Sequence, residues 1–176
     1  MRPTAQAALT AIAAALAVSP AAPARAAAEA SHAASAPVAV AASARSQARE
    51  VRRIIARIRA RHGLRALHAE SHLRRAARGH SADMRRGGYF SHTSRDGRSA
   101  ADRVRAAGYR RAAAVGEIIA YGSGRLSRPR AIVRAWMRSP SHRDAILSPE
   151  FREIGVGVVR DGRQAWATAD FGTRLR

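Results

Sequence analysis

The sequence predicts an α+β domain, helices first and an antiparallel hairpin last, and three observations carry that prediction. Val51, Ile54, Ile55 and Ile58 recur at the spacing of one helix face, with Arg49, Arg52, Arg53, Arg57 and Arg59 on the others. Leu73, Ala76, Ala77, His80 and Met84 form a second such stripe. Near the end, IGVGVV at 154–159, the turn residues Asp161 and Gly162, and QAWATADFG at 164–172 read as two strands and their connection.

Residues 1–26 read as an export signal. Arg2 supplies the positive start, Ala7 to Val18 the apolar run, Pro20 and Pro23 the break, and Ala24, Arg25 and Ala26 the small-x-small pattern that predicts cleavage after Ala26. The run is too short for a spanning helix, which needs roughly 20 residues, so no transmembrane helix is expected in the mature chain. An uncleaved signal anchor is the alternative. Residues 27–45 are almost entirely Ala, Ser, Pro and Val, without aromatic residues, and predict a disordered linker. Residues 46–176 then make one domain of ordinary size.

Within that domain, Gly63 suits the left-handed cap of the first helix, and Gly87 and Gly88 close a second over about 70–86. The stretch Tyr89 to Arg98 has turn composition. Ser99 and Asp102 have capping-box spacing and open a short helix to Gly108. GEIIAYG at 116–122 is a compact apolar run closed by glycine, a strand. A helix follows Ser127, with Pro129 in its first turn and Ile132, Val133, Trp136 and Met137 as its buried face, ending at Ser139 before Pro140. Ser139 is placed to cap a following short turn that carries His142.

Composition narrows the function classes. Cysteine is absent, so no disulfide supports the fold and no lipidated cysteine anchors it. The chain has 32 basic residues, all of them arginine, against 12 acidic, a formal charge of +20. Such a field favours polyanions: nucleic acid, anionic lipid or an acidic envelope polymer. Aromatic residues are 5% of the chain and never interleave with arginines as a stacking surface, so a dedicated nucleic-acid module is not expected.

Two of the residues that carry chemistry, Glu117 and His142, stand in segments built for burial. Glu117 lies within GEIIA, His142 within WMRSPSHRDAIL, and His92 within the loop YFSHTSRDG. Ionisable groups beside apolar faces are costly unless paired, hydrogen-bonded or bound to a cation. His80, on the apolar side of its helix, reads as a hydrogen-bonded core histidine ahead of a ligand. There is no HExxH helix, no GxSxG elbow and no cysteine nucleophile.

The succession AARGHSADM, GYFSHTSRDG, DRVRAAGY, GEIIA, WMRSPSHRDAIL, EIGVGVV and DFG resembles the bacterial branch of the CAP superfamily. Its members share the cysteine-rich secretory, antigen 5 and pathogenesis-related 1 domain, also called the SCP domain. The resemblance covers roughly residues 48–172 and implies an α-β-α sandwich with a central antiparallel sheet in an exported protein. It also implies a cleft lined by His92, Glu117, Ser139 and His142, with Ser139 where many relatives have a second acid. His92, Glu117 and His142 would be the metal ligands, because two imidazoles and one carboxylate can hold zinc or another divalent cation. This chain departs from the family pattern at Ile118 and Ala145, where asparagines are usual.

Several functions follow from this reading. One is a non-enzymatic domain at the cell surface that binds an unidentified ligand, such as a lipid or an anionic envelope polymer. Another is a hydrolase in which bound metal activates water or His142 acts as general base. A third is adhesion through the cationic surface itself. The cluster is also explained as a purely structural hydrogen-bond network. Oligomeric state is not legible in the sequence.

Overall fold

The structure, a computed structural model, describes residues 24–175. By contact the chain divides into two compact units, 1–35 and 36–176, and the second carries every element described below except the first turns of the first helix. The expected signal segment lies outside the described residues except for its last three.

Helix α1 spans Ala24–Arg61. Residues 27–45 are therefore helical in the structure, where the sequence expectation is a disordered linker. Alanine has the highest intrinsic helix propensity, and the amphipathic turns that follow supply a nucleus from which the helix extends. Gly63 follows α1 with φ of 69°, the left-handed conformation expected there. Then come β1 (His68–Ala69), α2 (Ser71–Gly87), α3 (Ala100–Ala106), β2 (Ala112–Ser123), a 3₁₀ turn (Gly124–Ser127), α4 (Pro129–Arg138), α5 (Pro140–Leu147), β3 (Glu153–Asp161) and β4 (Gln164–Arg174).

The four strands form one sheet in the order β1-β3-β4-β2. The three long strands are antiparallel, as expected, whereas the two-residue β1 pairs parallel with β3 and makes the sheet mixed. Asp161 pairs with Gln164, so the hairpin loop is Gly162–Arg163, one residue beyond the expected turn, and Gly162 takes φ of 51°.

Strand alternation sorts side chains onto two helical layers. Ile154, Val156 and Val158 of β3, Ala165, Ala167, Ala169 and Phe171 of β4, and Ile118 and Ala120 of β2 pack with Val51 and Ile55 of α1, Ile132, Val133 and Trp136 of α4, and Ile146 of α5. The opposite face meets α2. There Gly155 and Gly157 leave room for helix backbone: a Cβ at either would collide with main-chain atoms of Leu73 and Arg74 or of Ala77 and Arg78. Helix α2 thus rests directly on β3, with Ser81 Oγ 2.9 Å from Thr168 Oγ1. This is the α-β-α arrangement.

Caps fix the helix ends that frame the site. The Glu70 carboxylate accepts from Leu73 N at 2.7 Å at the start of α2, and Gly88 closes it with φ of 62°. Ser99 and Asp102 form both bonds of a capping box on α3. Ser139 occupies the N-cap position of α5, but its side chain makes no capping bond, contrary to expectation. Its hydroxyl lies 3.5 Å from Ser141 Oγ instead. What holds α5 is buried Arg59, which donates at 2.8 Å to both Ile146 O and Ser148 O at the helix end. No helix among the described residues is long and apolar enough to cross a membrane.

Candidate functional site

The site forms over β2, an edge strand that touches helices from both layers. Ile118 and Ala120 turn to one core, so Glu117 and Ile119 turn to the other, where Ile119 meets Met84 and Trp166. Trp136 Nε1 donates to Ile119 O at 2.9 Å and ties α4 to the same strand. The loop after α2 brings His92 to Glu117; it is folded by Ser94 N to Arg98 O (3.0 Å) and Gly97 N to Ser94 O (2.9 Å).

Glu117 is the hub. Its Oε1 accepts from His92 Nδ1 at 2.8 Å and its Oε2 from Arg103 at 2.5 Å. Both the Glu117 and Arg103 side chains are nearly solvent-free, at 3% and 6% exposure, whereas His92 is 54% exposed. Arg103 also donates to Ser94 Oγ (3.1 Å) and Arg98 O (2.8 Å), so one guanidinium binds the loop and the strand together. Breaking such a buried pair from one side strands the other charge.

Two further groups close around Glu117. His80 Nε2 lies 4.0 Å from Oε2 but donates to Ser91 O at 2.8 Å. Burial depresses the pKa of His80 more than the Glu117 charge raises it, so the imidazole is neutral and the contact is not an ion pair. Asp170, paired in register with Glu117 across β2 and β4, is fully buried, and neither of its oxygens receives a donor. Burial first, and the Glu117 charge second, hold its carboxyl well above the usual carboxylate range, and the neutral acid can donate to Glu117.

His142, on α5, completes the opening. Its ring centroid is 6.4 Å from that of His92, with the planes tilted by 52°. Partial burial, then the neighbouring His92, lower its pKa. Of the residues expected to line a cleft, His92 and Glu117 are bonded, His142 stands beside His92, and the Ser139 hydroxyl lies 3.5 Å from that of Ser141, outside the expected set. Among the described residues, no three His, Cys, Asp or Glu side chains converge as a metal requires. Glu117 is committed to Arg103 and to His92, so the expected His92, Glu117 and His142 set does not fit a metal as arranged. Ile118 and Ala145, in place of the usual asparagines, both join the apolar cluster on the far side of the sheet from Glu117.

Two cavities are prominent, and neither is lined by His92 or His142. The larger, about 550 Å³, lies by Glu150, Arg152 and Glu153 at the β1 edge. The other, about 330 Å³, lies between α2 and α3 and includes His80 and Arg103.

Comparison with known proteins agrees with this architecture. The chain matches the cysteine-rich secretory protein (CAP) family over residues 52–171. It belongs to the CAP family. It is 39% identical to the Bacillus subtilis (strain 168) protein YkwD over 104 residues, 59% of this chain and 39% of that protein. It is also similar to an extracellular protein containing an SCP domain from Bacillus anthracis (strain Ames), with TM-score 0.66, 30% identity, and coverage of 74% of this chain and 41% of that one. An outer surface protein of Borrelia burgdorferi shares the fold at TM-score 0.64 and 22% identity, covering 70% of this chain and 90% of that one. The CAP domain described here thus spans well under half of each of the two Bacillus proteins.

Sequence reasoning missed two members of the charged cluster in this CAP domain. Asp170 carried a readable signal: in TADFG, Thr168 and Asp170 alternate with Ala167, Ala169 and Phe171, which puts an acid on an inward strand face. Arg103 carried none, being one arginine among many on a short helix. The buried state of His80 was expected; its approach to Glu117 was not.

Proposed function

We propose that this CAP domain is exported and acts as a non-enzymatic binding domain, taking a lipid or an anionic envelope polymer in the cleft between His92 and His142 above Glu117. The observation that carries this reading is the commitment of Glu117, which Arg103 and His92 hold as a fixed acceptor rather than a free base. A hydrolase needs a base within reach of the group it deprotonates. Here the hydroxyls of Ser139 and Ser141 lie near one another, and neither bonds to His142 among the described residues. The two imidazoles offer adjustable donors and acceptors to a ligand, and Phe90, 54% exposed two residues from His92, adds an apolar contact. Export rests on the amino-terminal pattern through Ala26 and on the extracellular and outer-surface proteins to which the fold is similar.

Calorimetric titration with a polyglycerol phosphate and with lipid vesicles tests it. Binding that falls in both His92→Ala and His142→Ala supports the cleft; binding indifferent to both overturns it. The formal charge of +20 favours a second reading, adhesion through the cationic surface. That binding should collapse as salt rises, whichever histidine is changed. Zinc titration separates the metal-dependent hydrolase: one zinc per chain, lost in both variants, with hydrolytic activity that tracks it, would replace the binding reading.

A further inference from the structure

The cavity between α2 and α3 combines two unusual features. Its wall includes Arg75, Arg86, Arg98 and Arg103 against a single acid, Asp83. Two of its lining side chains each also carry a buried nitrogen with no partner, Nε of Arg103 and Nδ1 of His80. Arg103 and His80 are 6% and 1% exposed, so bulk water does not satisfy either nitrogen.

The two nitrogens ask for different things. Arg103 Nε bears a hydrogen and needs an acceptor. His80 donates through Nε2 to the Ser91 carbonyl, which fixes its tautomer and leaves Nδ1 a bare acceptor that needs a donor. The remaining arginines are only partly neutralised: Arg98 pairs with Asp96 at 2.7 Å, Arg86 lies 3.8 Å from Asp83, and Arg75 donates to the Ala107 carbonyl at 3.0 Å. Asp83 in turn accepts from Tyr89 Oη at 2.5 Å. A ligand that suits this wall is an oxyanion that also carries a hydroxyl hydrogen. Arginine forks match the oxygens of phosphate, and monohydrogen phosphate or a protonated phosphate monoester supplies the donor that His80 lacks. The volume, about 330 Å³, is at the small end of ligand sites, which run roughly 300–1,000 Å³.

We infer that the cavity lined by Arg75, His80, Arg98 and Arg103 is a binding site for a phosphate group, separate from the cleft between His92 and His142. Arg103 is the link between them, since its terminal nitrogens hold Glu117, Ser94 and the Arg98 carbonyl while Nε is left for the ligand.

The test titrates the full chain with inorganic phosphate, with glycerol phosphate and with sulfate, by calorimetry and by NMR of the Arg103 Nε–H and His80 ring signals. Saturable phosphate binding is expected, weakened by about tenfold in Arg75→Gln and again in Arg98→Gln. It should be unchanged in Arg130→Gln with Arg134→Gln, which removes two exposed arginines of α4. Sulfate, with acceptors only, should bind about tenfold more weakly than phosphate. The Arg103 and His80 signals should move on phosphate addition, and they should still do so in His142→Ala, whatever becomes of the cleft reading. Binding of glycerol phosphate as tight as that of inorganic phosphate supports the inference as a monoester site; binding of inorganic phosphate alone supports it as a free-phosphate site. Absence of saturable phosphate binding, equal loss in the α4 variant, or equal affinity for sulfate overturns the inference.

Discussion

Replacing Arg103 by methionine tests the centre of this structure most directly. Methionine keeps most of the apolar stem and removes the guanidinium, which leaves Glu117, 3% exposed, without its buried counter-charge. Removing one partner of a buried pair costs about 3–5 kcal/mol. Not all of that is electrostatic, because Arg103 also donates to Ser94 Oγ and Arg98 O, and those bonds contribute about 1 kcal/mol each. Adding Glu117→Gln removes the stranded charge but not the loss of the loop bonds. The double variant should therefore lie about 2 kcal/mol below wild type, recovering about 2 kcal/mol of the Arg103→Met loss. Urea unfolding at neutral pH, with equal slopes across the four proteins, measures the cycle. Costs that simply add, or an Arg103→Met loss under about 1 kcal/mol, would refute the picture of Glu117 as a buried charge held by one guanidinium.

Other expectations follow from the same geometry. Asp170 has a raised pKa in the folded state, so it binds more protons folded than unfolded; its contribution is fully present below 3.8 and is lost as pH rises through the folded value. Asp170→Asn should accordingly gain stability relative to wild type at neutral pH, the gain shrinking as pH falls toward 3.8, and a gain that grows on acidification would contradict this. Gly157→Ala places a Cβ against the main chain of Ala77 and Arg78, and should cost about 3 kcal/mol in thermal or urea unfolding; a loss near zero would mean that α2 is free to slide. Ile118→Asn buries an amide in an apolar cluster and should cost about 3 kcal/mol alone. With Ala145→Asn, which joins the same cluster, part of that loss should return, whereas additivity within about 0.5 kcal/mol would show that the two amides do not meet.

Much of the fold was legible because it is written in local periodicity. The α2 stripe Leu73, Ala76, Ala77, His80 and Met84 is the buried face seen, the Ser99 and Asp102 box forms both bonds, and the hairpin differs by one residue in its loop. Strand β1 was not legible, since two residues carry no period and its parallel pairing with β3 is a long-range event. In the alanine-rich stretch, small apolar area argues for disorder and high propensity for helix, and propensity prevails. In the site, His92 and Glu117 came from sequence and resemblance together. Arg103 stayed hidden because nothing local distinguishes a guanidinium that turns inward from its many neighbours. Ser139 was expected to cap α5, but Arg59, far away in sequence, holds that helix from its other end.

The glycines of β3 have a consequence beyond packing. Where a helix rests on side chains, its height above a sheet varies with every methyl group gained or lost. Resting on Gly155 and Gly157, α2 has a mechanical stop made of main chain alone. The altitude of His80 over Glu117 is then set by main chain and insulated from a change of side-chain volume in the apolar layers.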